Sequence, residues 1–327
     1  MNLETPIDVA CAGIVVADCV ARPVVKQPKP GQLELVDRIG LYSGGSAANT
    51  GYDLARLGVS VALIGRVGQD GFGDFLEAEA RRVGCDSSLL KRDTTASTSA
   101  SFVTVTPDGE RTFLHSIGAN AKLIASDVPL ETLKARGAKV LHLAGFFILP
   151  GMEGTAGEPA RDLLSAASAL GLMTSLDCVW DATGRWGELI HSVLPKTDLF
   201  CPSISEARAI VGHDDASDPL ETAEALFKLG IREIVALKMG PEGSFVMARD
   251  GEHHHVPAPS VEAVDGTGAG DAFIAGFIAA QLRGWNLLEC ARAGNAAGAL
   301  CVGALGATAG VTGWDAAQNL MDQIAGS

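Results

Sequence analysis

A loop of small residues runs directly into an apolar helix between residues 265 and 271. Its sequence is Asp-Gly-Thr-Gly-Ala-Gly-Asp, and the apolar run Ala272–Ile278 follows it. Because Gly268, Ala269 and Gly270 have small or no side chains, their backbone N–H groups can close around the oxygens of an anion. The positive end of the helix dipole adds to this attraction. The loop therefore predicts an anion-binding site of the kind that suits phosphate.

Asp271 ends this loop and begins the expected helix. A carboxylate at a helix N-terminus is stabilised in its charged form, so we expect a low pKa and a weak base. A weak base is sufficient for phosphoryl transfer, in which the carboxylate orients the attacking hydroxyl and accepts its proton late. Taken alone, Asp271 is equally typical of a helix N-cap after a flexible turn.

The composition describes a globular protein with an acidic surface. The chain has 327 residues, of which 47% are hydrophobic, and its net charge is −14. This apolar content is sufficient for the core of one large domain. The acidic excess argues against nucleic acid and against an anionic membrane as partners. A small anionic ligand would need local compensation from a helix N-terminus, a cation or a lysine.

Seven cysteines are scattered along the chain without C-x-x-C spacing, which indicates reduced thiols rather than disulfides or a zinc site. The N-terminal residues 1–9 carry no basic residue before their apolar stretch, and no apolar run is long enough to cross a bilayer. We therefore expect a soluble, cytoplasmic protein.

Short β-branched runs alternate with amphipathic stretches that end at glycine. This pattern is typical of a parallel sheet flanked by helices, with the glycines taking positive φ at the helix ends. The predicted strands are Val61–Val67, Lys139–Ala144, Met173–Asp177, Leu199–Cys201 and Ile234–Leu237, and the predicted helix ends are Gly58, Gly84, Gly171, Gly230 and Gly284. We predict a doubly wound, mostly parallel α/β fold that spans residues 1–327 as a single domain.

Two segments of the N-terminal third interrupt the alternation. Residues 22–43 are first Pro-rich and then strand-like, and residues 98–115 form a strand pair around the turn Pro107–Glu110. We expect a small β-sheet lid, formed by about residues 18–43 and 98–115, that covers a ligand at the strand ends. The free edges and apolar face of such a sheet need covering, so we expect a homodimer through the lid.

Two separated segments together resemble the signature regions of the PfkB (ribokinase-like) family of carbohydrate kinases. The first is Gly-Gly-Ser-Ala-Ala-Asn at residues 44–49, followed by Gly58 and Gly68, and the second is the loop 265–271. The resemblance covers essentially the whole chain. It implies a ribokinase-like fold and ATP-dependent transfer of the γ-phosphoryl group to a hydroxyl of a small sugar or sugar-like substrate.

The resemblance also implies roles for individual residues. Asp271 matches the catalytic base, and Gly268, Ala269 and Gly270 match the anion hole. Asp18 matches an aspartate that accepts hydrogen bonds from two adjacent sugar hydroxyls. The full set of expected substrate-binding residues, which includes two side chains of the lid segment, is Asp18, Gly45, Asn49, Arg111 and Asn120.

On the nucleotide side, residues 238–243 resemble a turn that approaches the phosphates and ribose of ATP. The expected nucleotide-binding residues are Lys238, Gly240, Gly243 and Asn295. Glu206 matches the acid that holds Mg²⁺ through water, with Ser203 where the family commonly has asparagine. Asp265 matches a position beside a monovalent cation. Because Gly266 replaces the usual threonine next to it, K⁺ is an open alternative at this position.

Other chemistries compete poorly with this interpretation. The sequence contains no G-x-x-x-x-G-K-[ST] phosphate-binding loop, and residues 65–73 lack the G-x-G-x-x-G spacing of a dinucleotide site. His253–His255 follows the turn Asp250–Gly251 and alternates between two faces, so we predict an exposed strand rather than a metal site. Two alternatives stay open, a nucleoside kinase on the same scaffold and a non-catalytic sugar-binding regulator.

Overall fold

The computed structural model describes residues 5–325 of the chain, with the side chains of residues 5–322. The strands are β1 Val9–Gly13, β2 Val16–Arg22, β3 Arg38–Gly44, β4 Val61–Gly68, β5 Leu90–Asp93, β6 Ala100–Val105, β7 Arg111–Ser116, β8 Val140–Phe146, β9 Met173–Cys178, β10 Leu199–Phe200, β11 Ile234–Lys238, β12 Ser244–Ala248 and β13 His253–Val256. The α-helices are α1 Ser46–Arg56, α2 Gly71–Arg82, α3 Leu130–Ala135, α4 Pro150–Glu153, α5 Glu158–Ala169, α6 Trp186–Ile190, α7 Ile204–Val211, α8 Pro219–Lys228, α9 Ala269–Leu282, α10 Leu287–Val302 and α11 Trp314–Ala325.

The large sheet has nine strands in the order β13-β12-β11-β10-β9-β8-β1-β4-β5. The strands from β5 to β11 along this order pair in parallel, while β12 and β13 add an antiparallel hairpin at one edge. Because the parallel strands end at one edge of the sheet, side chains that follow them lie close together. This edge carries the candidate site.

The side chains of each strand alternate between two apolar layers. Cys11 and Leu63 pack into the layer formed with α1, α2, α9, α10 and α11. Ala12 and Ile64, their sequence neighbours, pack into the layer formed with α3 to α8. Burial on both faces explains why the strands are apolar throughout, and it identifies the sheet as doubly wound.

A second sheet has four strands in the order β3-β2-β6-β7. β2 pairs in parallel with β6, and each of them has an antiparallel partner outside it. One face carries Asp18, Val20 and Arg22 and faces a cavity. The opposite face exposes Phe102 and Leu114, which are 42% and 72% exposed.

The five strands predicted from the sequence correspond to β4, β8, β9, β10 and β11 and agree with them to within two residues at each end. All five glycines expected to end helices have positive φ, namely Gly58, Gly84, Gly171, Gly230 and Gly284. Strands β3, β6 and β7 of the small sheet fall in the two segments that interrupt the α/β alternation to within one residue, whereas β2 precedes the first segment and meets it only at Arg22. The three consecutive histidines form β13, the edge strand of the hairpin, as expected.

None of the helices within residues 5–325 combines the length and the apolar character that crossing a bilayer requires.

Helix α9 is apolar all round because it lies between other elements. Every residue from 272 to 280 is buried, and the helix packs against both α1 and α10. A helix with no polar face is stable only when neighbouring elements cover it. The first residues of α9 therefore start from a rigid support.

We expect Phe277→Ala to destabilise the fold by about 3–5 kcal/mol, because Phe277 is fully buried and the substitution leaves a cavity in α9. The measurement is the free energy of unfolding in urea. Phe72→Ala is the control, since Phe72 is 39% exposed in the first turn of α2. Equal losses for the two variants would contradict the packing described for α9.

Candidate functional site

The small-residue loop is fixed at the start of α9 by its own glycine. Gly268 precedes the helix with φ of 80°. A Cβ atom at this position would lie 2.1 Å from the carbonyl oxygen of Ala307, so a larger residue would meet both backbone strain and a clash. Ala269 and Gly270 form the first turn of α9, where backbone N–H groups have no partner within the helix. Ala269 N donates over 3.4 Å to the carbonyl oxygen of Gly266, a long bond that leaves this turn open to an anion.

Asp271 and Asn49 meet at the contact between α9 and α1. Asn49 Nδ2 donates a hydrogen bond to Asp271 Oδ2 over 2.9 Å, and Thr50 Oγ1 donates to the carbonyl oxygen of Asp271 over 3.4 Å. Gly45 precedes α1 with φ of 92°. The structure thus brings together three residues that the sequence singles out in two distant motifs.

The surroundings of Asp271 raise its pKa to about 7. Burial is the main cause, and the negative charge of Asp177 adds to it, while the hydrogen bond from Asn49 and the charge of Lys238 oppose the rise. The low pKa expected at a helix N-terminus is therefore wrong, because desolvation and neighbouring carboxylates outweigh the helix dipole. A carboxylate in this range is a better proton acceptor than the sequence indicates.

Asp177, which is buried, and Lys238, which is partly buried, form an ion pair next to Asp271. Lys238 Nζ, at the end of β11, donates to Asp177 Oδ1, near the end of β9, over 2.7 Å. Burial opposes the charge of Lys238, but Asp177 and Glu206 more than offset it and raise the lysine pKa. Burial also raises the pKa of Asp177. Lys238 passes within 3.3 Å of the position of a Cβ atom on Gly270, so the ammonium lies directly beside the loop.

Sequence reasoning did not assign a role to Asp177, which appeared only as the end of a predicted strand. One signal could have identified it, because an acidic residue at the carboxyl end of a parallel strand lies at the edge where ligands bind. Its partner Lys238 is 61 residues further along the chain.

Glu206 and Ser203 cap helix α7 reciprocally. Ser203 N donates to Glu206 Oε2 over 2.7 Å, and Glu206 N donates to Ser203 Oγ over 3.2 Å. The serine that replaces the family's asparagine is therefore engaged in a capping box. Within residues 5–325 no group of three or more His, Cys, Asp or Glu side chains has the arrangement of a direct metal site.

A cleft of about 790 Å³ opens on one side of the loop. This volume lies within the range of small-molecule sites, roughly 300–1,000 Å³. Asn295 donates from Nδ2 to the carbonyl oxygens of Val256 and Pro257 and so holds one wall. The expected nucleotide and metal residues that line the cleft are Glu206, Lys238, Gly240, Gly243 and Asn295.

A second, smaller cavity lies on the other side of the loop, beneath the small sheet. Its volume is about 80 Å³, and Asp18, Arg111 and Asp265 contribute to its walls. Burial raises the pKa of Asp18, and the hydrogen bond with Ser101 limits the rise. The loop 265–271 thus separates two cavities of unequal size.

Two of the expected substrate residues are engaged with the protein itself. Arg111 forms an ion pair with Asp265 and a hydrogen bond with Thr267. Asn120 donates from Nδ2 to the carbonyl oxygen of Val15 over 3.0 Å and accepts from the Val15 N–H over 3.2 Å. Asn120 therefore fixes the turn between β1 and β2, and Arg111 joins the small sheet to the loop.

Comparison with known proteins agrees with this arrangement. The pfkB family carbohydrate kinases match the chain over residues 7–313. An uncharacterised sugar kinase from Archaeoglobus fulgidus is 31% identical over 79% of this chain and 97% of that protein. Probable fructokinase-7 from Arabidopsis thaliana is 30% identical over 85% and 83% of the two chains. The structure of a putative ribokinase II from E. coli in complex with ATP and Mg²⁺ is 25% identical, with a TM-score of 0.80 over 97% of this chain and 99% of that one. The predicted ribokinase-like fold is confirmed, and the chain belongs to the pfkB family of carbohydrate kinases, which transfer a phosphoryl group to an alcohol.

Proposed function

We propose that this protein transfers the γ-phosphoryl group of ATP to a hydroxyl of a small sugar, with Asp271 as the catalytic base. The observation that carries the proposal is the position of the loop 265–271 between a ligand-sized cleft and a cavity beneath the small sheet. A phosphoryl group held by the loop would lie between a nucleotide in the cleft and an alcohol on the side of Asn49 and Asp271.

The proposed reaction uses groups on both sides of the loop. Backbone N–H groups at 268–270 hold the oxygens of the transferring group, while Asp18, Gly45 and Asn49 orient the sugar. The hydroxyl oxygen forms a bond to the γ-phosphorus as the bond to the β-phosphate oxygen breaks. ADP leaves with that electron pair, and Asp271 takes the hydroxyl proton. On the nucleotide side we assign contacts with ATP to Lys238, Gly240, Gly243 and Asn295.

The charges at the site fit a hydrated Mg²⁺. Lys238 is ion-paired with Asp177, and the negative charges of Asp177, Glu206 and Asp271 raise the pKa of this one lysine. This leaves an excess of negative charge. Mg²⁺ is usually held by one or two carboxylates together with water and phosphate oxygens. We propose that Glu206 holds it through water, and that the ion offsets charge on the phosphates of ATP.

Two alternatives are less well supported. The named relatives above are sugar kinases, which does not favour a nucleoside kinase. A sugar-binding regulator has no need of a proton acceptor, whereas the surroundings of Asp271 bring its pKa to about 7, near the operating pH of a general base. All seven cysteines are unpaired thiols, which suits the reducing cytoplasm as the compartment.

We further propose that the small sheet is a lid of one single domain and that two copies associate through it. Leu41, Phe102 and Leu114 form a row across its outer face, because Cys19 pairs with both Leu41 and Phe102 and Phe102 pairs with Leu114. The three side chains are between 38% and 72% exposed. A second copy would cover this apolar row and the free edges of β3 and β7.

We expect ADP release in the presence of ATP, Mg²⁺ and at least one member of a panel of hexoses, pentoses, sugar acids and sugar phosphates. Asp271→Asn should lower kcat by about 10²- to 10⁴-fold, because the amide orients the hydroxyl but cannot accept its proton. ATP affinity, measured by calorimetry, should change little. Asp218→Asn is the control, since Asp218 is an exposed carboxylate at the start of α8.

Turnover by Asp271→Asn at the rate of the unmodified protein would rule out its role as base. No ADP release across the whole panel, together with sugar binding, would instead support the regulator.

We expect a dimeric mass in light scattering at micromolar concentration and a monomeric mass for Phe102→Asp, because the aspartate would place a charge within the apolar row. Leu33→Asp is the matched control, since Leu33 is 80% exposed outside both sheets. A monomeric unmodified protein, or a Phe102→Asp variant that remains dimeric, would be evidence against association through the lid.

A further inference from the structure

Within residues 5–322, one side chain of the small sheet forms a hydrogen bond and an ion pair with the loop 265–271, that of Arg111. Arg111 lies at the start of β7, in the small sheet, and Asp265 lies at the start of the loop. The guanidinium contacts the Asp265 carboxylate through Nη2 and the Thr267 hydroxyl through Nη1. The two ends of the guanidinium thus hold two residues of the loop at once, a geometry that lysine could not reproduce.

Asp265 is charged although it is 6% exposed. Its Oδ1 accepts a hydrogen bond from Thr267 N over 2.8 Å, and its Oδ2 accepts one from Gly306 N over 3.0 Å. Burial opposes the charge, but Arg111 and these N–H groups outweigh it and hold the pKa of Asp265 below its usual range. Among these partners, Arg111 is the one that brings a full positive charge.

The position of Asp265 creates an electrostatic problem for the loop. Its carboxylate is three residues from Gly268, where the N–H groups must receive an anion. An uncompensated carboxylate at this distance repels phosphate and weakens the binding. In the family that the sequence resembles, a monovalent cation next to this aspartate implies one way to compensate the charge. Here both carboxylate oxygens already accept hydrogen bonds and a guanidinium supplies the charge, so the residues present do not fit K⁺.

We infer that Arg111 is a positioning residue that takes the place of a monovalent cation at Asp265. It neutralises this carboxylate when the lid lies over the loop, and it thereby allows the loop to bind the transferring phosphoryl group. The inference rests on the proposed function for the identity of that group. It differs from the expectation that Arg111 binds the substrate directly.

The first test measures kcat and KM in KCl and in choline chloride at constant ionic strength. We expect the unmodified protein to differ less than twofold between the two salts. Arg111→Met should lose about 10- to 100-fold in kcat, as is typical when a partner of an active-site group is removed. Part of this loss should be recovered in KCl, because a cation can then reach Asp265. Arg111→Lys keeps the charge and should retain more activity than Arg111→Met in choline chloride.

Two variants separate this role from other effects. The double variant Asp265→Asn, Arg111→Met should lose less kcat than the product of the two single fold-losses. The reason is that the charge that Arg111 neutralises is then absent. Arg161→Met is the matched control, since Arg161 is an arginine of α5 that is ion-paired with Asp162. It should behave like the unmodified protein in both salts.

A second readout does not depend on a sugar. ATP affinity, measured by calorimetry in the two salts, should fall for Arg111→Met in choline chloride and recover in KCl. This pattern without turnover of any sugar would support the inference and overturn the proposed function. Strong activation of the unmodified protein by KCl would overturn the inference. So would an Arg111→Met variant whose losses of kcat and ATP affinity are the same in KCl and in choline chloride. A loss confined to the KM for the sugar would do the same, because it would assign Arg111 to the substrate.

Discussion

The binding of an anion in an acidic protein is the constraint on which this site depends. The chain has a net charge of −14, and carboxylates lie near both cavities beside the loop 265–271, Glu206 in the wall of the large cleft, Asp177 against Lys238, and Asp265 in the wall of the small cavity. Backbone N–H groups alone would have to attract phosphate against these charges. The structure meets this constraint with one cation on each side of the loop, Lys238 and Arg111. Every element that positions these two side chains is therefore part of the site.

The two cations differ in how firmly they are held. Lys238 ends a strand inside the large sheet, and its ammonium is held against Asp177 and beside Gly270. Arg111 belongs to the small sheet, which adjoins the loop but is a separate sheet. The positive charge of Lys238 is thus held by a strand of the large sheet. Compensation on the lid side exists only while the lid contacts the loop.

The features of the structure that depend on local sequence pattern were predictable from the sequence. The alternation of apolar runs and glycines was sufficient for the doubly wound fold, and the small-residue loop was sufficient to locate the start of α9, while its binding of an anion stays a prediction. Sequence reasoning could not predict pairs formed by the fold, such as Arg111 with Thr267, 156 residues apart. The pKa of Asp271 was mispredicted for the same reason, because the helix N-terminus is visible in the sequence but the burial and the nearby Asp177 are not. Glu206 and Ser203, only three residues apart, form a capping box that the sequence itself contains.

The unequal sizes of the two cavities connect the lid to the choice of acceptor. The cleft of about 790 Å³ has room for a nucleotide, whereas the cavity of about 80 Å³ beneath the lid is well below the roughly 300 Å³ of the smallest usual ligand sites. In the proposed reaction the sugar binds at Asp18 and needs more room than this cavity offers, which requires the lid to move away and to separate Arg111 from Asp265. While the lid is open, water has access to the site but the loop carries an uncompensated carboxylate. Closure over the sugar restores the ion pair as it excludes water. The same arginine therefore links the loop's affinity for the phosphoryl group to the presence of the correct acceptor, and it disfavours transfer to water.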